Sequence, residues 1–300
     1  MYDVAVIGGG PAGLTAAVYA RRAGKSVLVI EKAAFGGQIT WSPKVENFPG
    51  VISASGNEIG DMLLSQAMEQ GAEVELEEIV GAEQSEDGFR LKAESGAAFE
   101  ARSVIIATGA RPRMTGLAGE EELIGAGVCF CAVCDGAFYK GKTVAVCGGG
   151  NSALQDALLL SEKCEKVFLI HRRDAFRAEA KLVDALREKN NVEFILSAEL
   201  TEFCGSGELS GVKYRRGGAE YELKLDGLFV AIGHMPQNDA FSSLMELDEK
   251  GYADSAEDCL TKTPGVFAAG DCRRKTVRQC ATACADGAVA ALAACSWLES

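Results

Sequence analysis

Histidine is almost missing from this chain of 300 residues, with only His171 and His234. Neither stands at ligand spacing from a cysteine, and no second C-x-x-C accompanies Cys131 and Cys134. A structural metal is therefore not expected, although Cys129, Cys131 and Cys134 together offer three thiolates. Positive charge is also short: 30 Lys+Arg against 43 Asp+Glu give a net charge of −13. That argues against nucleic acid or an anionic membrane surface as main partner. Long apolar runs are lacking too, each being broken by glycine or charge, so no transmembrane span is expected. No basic n-region precedes the strand-like Tyr2 to Ile7, so a secretory signal is not expected and a cytoplasmic protein is. The rest is ordinary globular composition, 48% hydrophobic, 24% charged and 35 Gly. At roughly 150 residues per domain, the length predicts two domains. The cysteines number 11 and are scattered, which fits small buried hydrophobes rather than a disulfide framework.

The chain repeats itself. Val4-Ala5-Val6-Ile7-Gly8-Gly9-Gly10 matches Val144-Ala145-Val146-Cys147-Gly148-Gly149-Gly150. In each copy an apolar strand leads through a glycine turn into a helix, predicted over Pro11 to Ala23 and Asn151 to Ser161. A second strand follows, Val27 to Ile30 and Val167 to Ile170. Two complete strand–turn–helix–strand frames of equal length are strong evidence for two dinucleotide sites, where a lone glycine motif is weak. Each half closes with an apolar strand ending in glycine, 104–109 and 228–233. A third such strand, 266–271, has no partner in the second half and is assigned to the first. The predicted fold is α/β, with two Rossmann-like, three-layer dinucleotide-binding domains, the second inserted into the first. Residues 1–113 and 243–300 form the discontinuous first domain and 114–242 the second. Residues 73–102 and 193–225 are predicted as β-meander excursions.

In the first frame Gly8, Gly10 and Gly13 hold the fingerprint positions, with Pro11 and Ala12 opening the helix. Small residues let a pyrophosphate approach the helix N-terminus. Glu31, with Lys32 beside it, ends the second strand. Its carboxylate accepts from a ribose 2′-hydroxyl and repels a 2′-phosphate, so this site suits FAD or NAD. The bland reading of Glu31 is a solvated surface acid. In the second frame Gly148, Gly150, Asn151 and Ser152 precede Ala153 in place of the third glycine. His171-Arg172-Arg173 replaces the acid, with Arg177 predicted one helical turn on. Guanidinium forks match a phosphate dianion, which favours NADP(H); the bland reading is a solvated basic patch.

Between the frames lies Cys131-Ala132-Val133-Cys134-Asp135-Gly136. Outside an oxidising compartment this spacing beside βαβ units reads first as a redox dithiol on an exposed loop, with Asp135 placed to relay a proton. A dithiol cannot take a hydride whereas a flavin can, which joins NADPH, flavin and disulfide into one electron path. The rivals are a metal site and inert core cysteines.

Over essentially its whole length the chain resembles the bacterial low-molecular-weight thioredoxin reductases. The motifs carrying the likeness are Gly8 to Gly13, Gly36-Gly37-Gln38, Val45 to Gly50 including Asn47, Ala107-Thr108-Gly109-Ala110, Cys131 to Gly136, Gly148 to Ala153, His171 to Asp174, Gly270-Asp271 and Arg278-Gln279. The resemblance implies FAD in the first domain and NADPH in the second. It implies Gln38 and Asn47 lining the flavin, Asp271 on its ribityl-phosphate part, and Arg278-Gln279 with Cys280 along the ring edge. A helix starting near Ala281 would aim its positive end at the ring. Cys134 would face the flavin and Cys131 attack the partner disulfide. The resemblance further implies a homodimer, a rotating NADPH domain, and thioredoxin or a thioredoxin-like small dithiol protein as partner. The chain departs from the pattern at Asn151, usually Asp, at Ala137, often aromatic, and at Cys129, Cys272, Cys280 and Cys284. Cys280 and Cys284 share a helix face and read as filler or as an additional thiol relay; Cys129 is a candidate for exchange with Cys131. A dithiol oxidase or ferredoxin-fed reductase of the same fold is the alternative function, which the three arginines oppose. A non-catalytic redox sensor is the alternative outside that class.

Overall fold

The computed structural model describes residues 1–300. The chain forms two compact units, Met1–Arg111 with Met235–Ser300, and Pro112–His234. The second crossover thus falls before Met235, not at residue 242 as the sequence predicts. Residues 235–242 pack with the first unit. The fully buried Asn238 donates to the carbonyls of Gly251 (2.9 Å) and Cys272 (2.8 Å), and Phe241 joins Leu244 and Met245 in the core. No apolar strand marks that stretch, so its allegiance is a tertiary matter.

In the first unit the parallel strands run in the order Glu73–Leu76, Val27–Glu31, Tyr2–Ile7, Ala98–Ile106, Val266–Ala268. Alternation sets the layers. Val4 and Val6 pack with the helices Pro11–Arg22 and Cys280–Glu299. Ala5 and Ile7 face the antiparallel strands Ile79–Ser85 and Gly88–Ala93 through Phe89 and Leu91. A sheet buried on both faces reads as continuous apolar sequence, which is why these strands are legible. Glu73–Leu76 is an edge strand of the parallel sheet rather than the start of the meander. Its exposed, alternating Glu-Val-Glu-Leu looks like a half-solvated antiparallel strand.

The second unit repeats the plan. Val192–Leu196, Lys166–His171, Thr143–Cys147, Gly227–Val230 and Val128–Cys129 are parallel in that order. Val144 and Val146 face the helix Asn151–Ser161. Ala145 faces the antiparallel meander of Ala198–Gly205, Leu209–Arg216 and Ala219–Lys224. The same correction applies, since Val192–Leu196 is again a parallel edge strand.

By length and composition the helix Cys280–Glu299 could cross a membrane, an 18-residue stretch of it having a mean hydropathy of 1.4. Here it serves as a core helix. A Cβ on Gly287 would stand 2.1 Å from Ala12 O, so the helix rests directly on Pro11–Arg22. Its Asp286 is buried in ion pairs with Arg273 and Lys275.

Candidate functional site

In the first unit the glycine turn sits at the carboxyl end of Tyr2–Ile7. Gly8 has φ +111°, and a Cβ there would lie 2.3 Å from Ala107 O; a Cβ on Gly13 would lie 1.9 Å from Gly8 O. Those two glycines are demanded by the fold itself. Gly10 differs, since the nearest atom to its Cβ would be Gly37 Cα at 3.9 Å. Open space beside Gly10, at the first turn of a helix, is where an anionic group can approach the backbone. Glu31 folds back over the turn. Its Oε2 accepts from Gly9 N (2.7 Å) and its Oε1 from Ala33 N (3.0 Å). Lys32 points away, donating to Glu78 (3.2 Å) and Gln237 (2.9 Å).

The other predicted residues of this unit gather around the same strand ends. Gln38 Nε2 donates to Ala110 O, and Thr108 Oγ1 donates to Asn238 Oδ1 at 3.1 Å. The exposed Asn47 donates to Gln279 Oε1 at 3.2 Å. Gly270 has φ +81°, with Ala12 beside it. Asp271 follows in a 3₁₀ turn with its Oδ1 buried and unpartnered, and burial pushes its pKa up. Arg278 lays its guanidinium over the Tyr252 ring at 4.4 Å and leaves a buried Nε without an acceptor. Gln279 caps the helix, which begins at Cys280, one residue before the sequence expectation. Cys280 and Cys284 are half-buried rather than core filler, whereas Cys272 is fully buried. A hydrogen bond from Cys280 leads the causes that draw the Cys284 thiol down to about 7, and the partner's own pKa rises.

Sequence reasoning missed what holds this cluster together. Asp286 takes Arg273 Nε and Nη2 at 2.8 Å each, Lys275 Nζ at 2.8 Å and Gly270 N at 2.9 Å. It ties the Gly270–Asp271 turn to the C-terminal helix. A charged residue in an apolar helix was the available signal.

In the second unit a Cβ on Gly148 would lie 2.7 Å from the Cβ of Ala153, which fills the third-glycine position, while a Cβ on Gly150 would meet nothing. The His171 ring lies against Gly149 and stacks on Phe176 at 5.6 Å. Burial lowers its pKa, and its Nε2 is buried and unpartnered. Arg172, Arg173 and Arg177 are exposed and form no ion pair. Arg177 lies in a loop, not on a helical turn, because its N–H is committed to Gly149 O at 2.8 Å. Asn151 Oδ1 accepts from Glu179 N (2.9 Å) while its Nδ2 donates to Glu179 Oε1 (3.0 Å). A carboxylate has no donor for that second bond, which accounts for the amide. Ser152 is exposed on the same helix start.

Cys131 and Cys134 of this unit form a disulfide, with Cα atoms 5.2 Å apart. The motif is a short helix, Ala132–Asp135, rather than an open loop, and only Val133 is exposed. Cys131 is its N-cap, and its Sγ accepts from Cys134 N at 3.1 Å. Asp135 is mostly buried with Oδ1 unpartnered, and burial pushes its pKa up to about 6. Cys129 is turned into the core, 3.3 Å from Tyr139 OH, and burial raises it to about 12. That separates it from the other two thiols and disfavours both a three-thiolate metal site and easy exchange.

Two glycine cradles with open space at Gly10 and Gly150, and unpartnered polar atoms of Asp271, Arg278 and His171 around them, fit two dinucleotides. The chain belongs to the pyridine nucleotide-disulphide oxidoreductase family, whose model matches residues 2–287. Within that class it is similar to bacterial thioredoxin reductases. The enzyme of Listeria innocua serovar 6a is 41% identical, over 100% of this chain and 94% of the relative. That of Bacillus subtilis strain 168 is 39% identical, over 100% and 95%. The crystal structure of thioredoxin reductase from Streptococcus pyogenes MGAS5005 matches with a TM-score of 0.94 at 37% identity, covering 100% of this chain and 98% of that one. The chain is an NADPH-dependent flavoprotein disulfide oxidoreductase.

Proposed function

We propose that this enzyme reduces the disulfide of a thioredoxin or a thioredoxin-like small dithiol protein. The observation that carries the reading is the Cys131–Cys134 disulfide with the buried, unpartnered Asp135 beside it. In the first unit Gly8, Gly10, Pro11, Ala12, Gly13 and Gly37 cradle the FAD pyrophosphate. Glu31 turns to its ribose, with Lys32 at the margin. Gln38, Asn47, Thr108, Gly109, Gly270, Asp271, Arg278, Gln279 and Cys280 line the rest. In the second unit Gly148, Gly150, Asn151, Ser152 and Ala153 receive the NADPH pyrophosphate. His171, Arg172, Arg173 and Arg177 receive its 2′-phosphate, and the unpaired guanidinium groups supply the charge that selects it. FAD, when bound, accepts a hydride from NADPH and supplies two electrons to a disulfide.

The remaining chemistry belongs to the chain. Asp135, held near pKa 6 by burial, carries a proton at the sulfur end of the path and gives it to the thiolate that leaves when the disulfide opens. Cys131 Sγ, facing the Cys134 N–H, is the stabilised thiolate that attacks a partner sulfur. Cys134 then displaces the partner from the mixed disulfide, which restores the Cys131–Cys134 bond and releases a dithiol. Exposed Val133 within the motif and exposed Ala137 just after it offer the partner a small surface.

The C-terminal helix leaves Val289 (39% exposed), Leu292 (55%) and Trp297 (38%) uncovered, a face suited to a homodimer. Sedimentation of a Leu292→Glu variant at the wild-type position would rule that face out. The net charge of −13 and the family's redox chemistry support a cytoplasmic enzyme. Purified protein should reduce thioredoxin with NADPH and lose that turnover in Cys134→Ser while keeping FAD; undiminished turnover refutes the dithiol route.

A further inference from the structure

The three arginines of the second unit sit on a loop, and a loop presents charge at a fixed place only where something fixes its backbone. Residues 172–179 run from the end of the strand Lys166–His171 to the start of the helix Ala180–Arg187. They are pinned at three points. Near the start, Arg173 O accepts from Ser197 N at 3.0 Å. Ser197 holds φ +53° there, a conformation that a side chain keeps only where its surroundings impose it. Further on, Arg177 N donates to Gly149 O at 2.8 Å. At the end, Glu179 and Asn151 exchange two hydrogen bonds. Glu179 N donates to Asn151 Oδ1 (2.9 Å), and Glu179 Oε1 accepts from Asn151 Nδ2 (3.0 Å). The first two contacts use backbone atoms alone. The third depends on which side chains meet.

Asn151 opens the helix Asn151–Ser161 directly after the Gly148-Gly149-Gly150 turn. Its pairing with Glu179 therefore joins the pyrophosphate cradle to the arginine loop. We infer that Glu179 is a positioning residue for nucleotide selection, latching the Arg172–Arg177 loop to the cradle through Asn151. This role rests on the assignment of the 2′-phosphate to Arg172, Arg173 and Arg177. A nucleotide carrying that phosphate must meet cradle and loop together, whereas one lacking it needs only the cradle. Ordering the loop before binding removes that ordering from the cost of association. The benefit falls to NADPH and not to NADH. The charge of Glu179 by itself acts in the opposite direction, since a carboxylate near the arginines weakens the positive potential that draws a phosphate. Both its oxygens are engaged elsewhere, Oε1 with Asn151 and Oε2 with Lys181 Nζ at 2.9 Å. Latch and charge thus predict opposite signs for the same substitution.

The test is titration calorimetry of oxidised NADP and oxidised NAD on the FAD-loaded full chain, without turnover. Glu179→Ala should lower the preference for NADP over NAD about tenfold, through weaker NADP binding. Glu179→Gln keeps an acceptor for Asn151 Nδ2 while dropping the charge, and should leave the preference close to the wild-type value. Asn151→Asp sets two carboxylates face to face and should lose the preference, and adding Glu179→Gln supplies the missing donor and should restore it. The charge that Asn151→Asp brings to the cradle acts on both nucleotides and cancels in their ratio. A merely structural role would weaken both nucleotides together and leave that ratio unmoved. Circular dichroism reports that each variant is folded. An unchanged or increased preference in Glu179→Ala, or an equal loss in Glu179→Gln, overturns the latch. A wild type that binds both nucleotides alike overturns the arginine assignment and the latch with it. A preference lost in Arg172→Ala but kept in Glu179→Ala overturns the latch alone.

Discussion

Asp135 shows how burial turns an ordinary carboxylate into a usable acid. Desolvation by burial raises it to about 6, so a fraction stays protonated near neutrality. Turnover should therefore decline on the alkaline side as this proton is lost. Asp135→Asn should flatten that limb and lower kcat by about a hundredfold, within the usual range for a general acid. A kcat–pH profile of wild type and variant checks this. Arg172, Arg173 and Arg177 make the complementary case for charge. With no carboxylate competing for them, Arg172→Ala or Arg173→Ala should raise KM for NADPH about tenfold, as one lost charge-assisted bond is worth about 1.5–3 kcal/mol. KM for NADH should move little, and parallel kinetics with both nucleotides separate the outcomes.

At the scale of elements, the C-terminal helix owes its place to a close backbone approach and a buried charge cluster. Alanine and cysteine make it apolar, yet its hold on the sheet runs through Asp286, only 6% exposed, and the fully enclosed Arg273. Asp286→Asn removes the carboxylate that pairs with both Arg273 and Lys275. It should cost about 3–5 kcal/mol, the range for breaking a buried pair. The Gly270–Asp271 turn loses its tether in the same variant, so FAD affinity should fall with stability. Urea unfolding and FAD titration on one preparation test both, and unchanged values for each would show that the cluster holds nothing.

At the scale of the whole molecule, the two units should respond to different ligands. Unfolding followed by calorimetry should show two transitions rather than one. FAD at a hundred times its Kd should stabilise the first unit by about 2.7 kcal/mol and leave the second in place. The second unit carries Asp135 and Asp156, raised by burial to about 6 and about 7. Each binds a proton more tightly folded than unfolded, so each costs stability as pH rises. That cost is absent below the ordinary aspartate range and complete above the folded value. The second transition should fall between pH 4 and pH 8 by about 3 kcal/mol for Asp135 and about 4 kcal/mol for Asp156, and Asp156→Asn should remove part of that slope.

The sequence by itself determined the duplicated frame, the glycine turns, the helices after them and the cysteine motif. These depend on local chemistry: strands buried on both faces must be apolar throughout, and a turn with φ +111° and a carbonyl where Cβ would stand admits only glycine. Glu31 and the His171-Arg172-Arg173 run were legible because strand length fixes where each strand ends. Tertiary structure alone decided the rest. Glu73–Leu76 and Val192–Leu196 joined parallel sheets because an edge strand needs only one apolar face and so carries no mark of its partner's direction. Residues 235–242 went to the first unit because Asn238 found three partners far away in sequence. Asp135 became a weak acid, and Asp286 a tether, because the dielectric and the neighbours that set a carboxylate's behaviour exist only once the chain has folded.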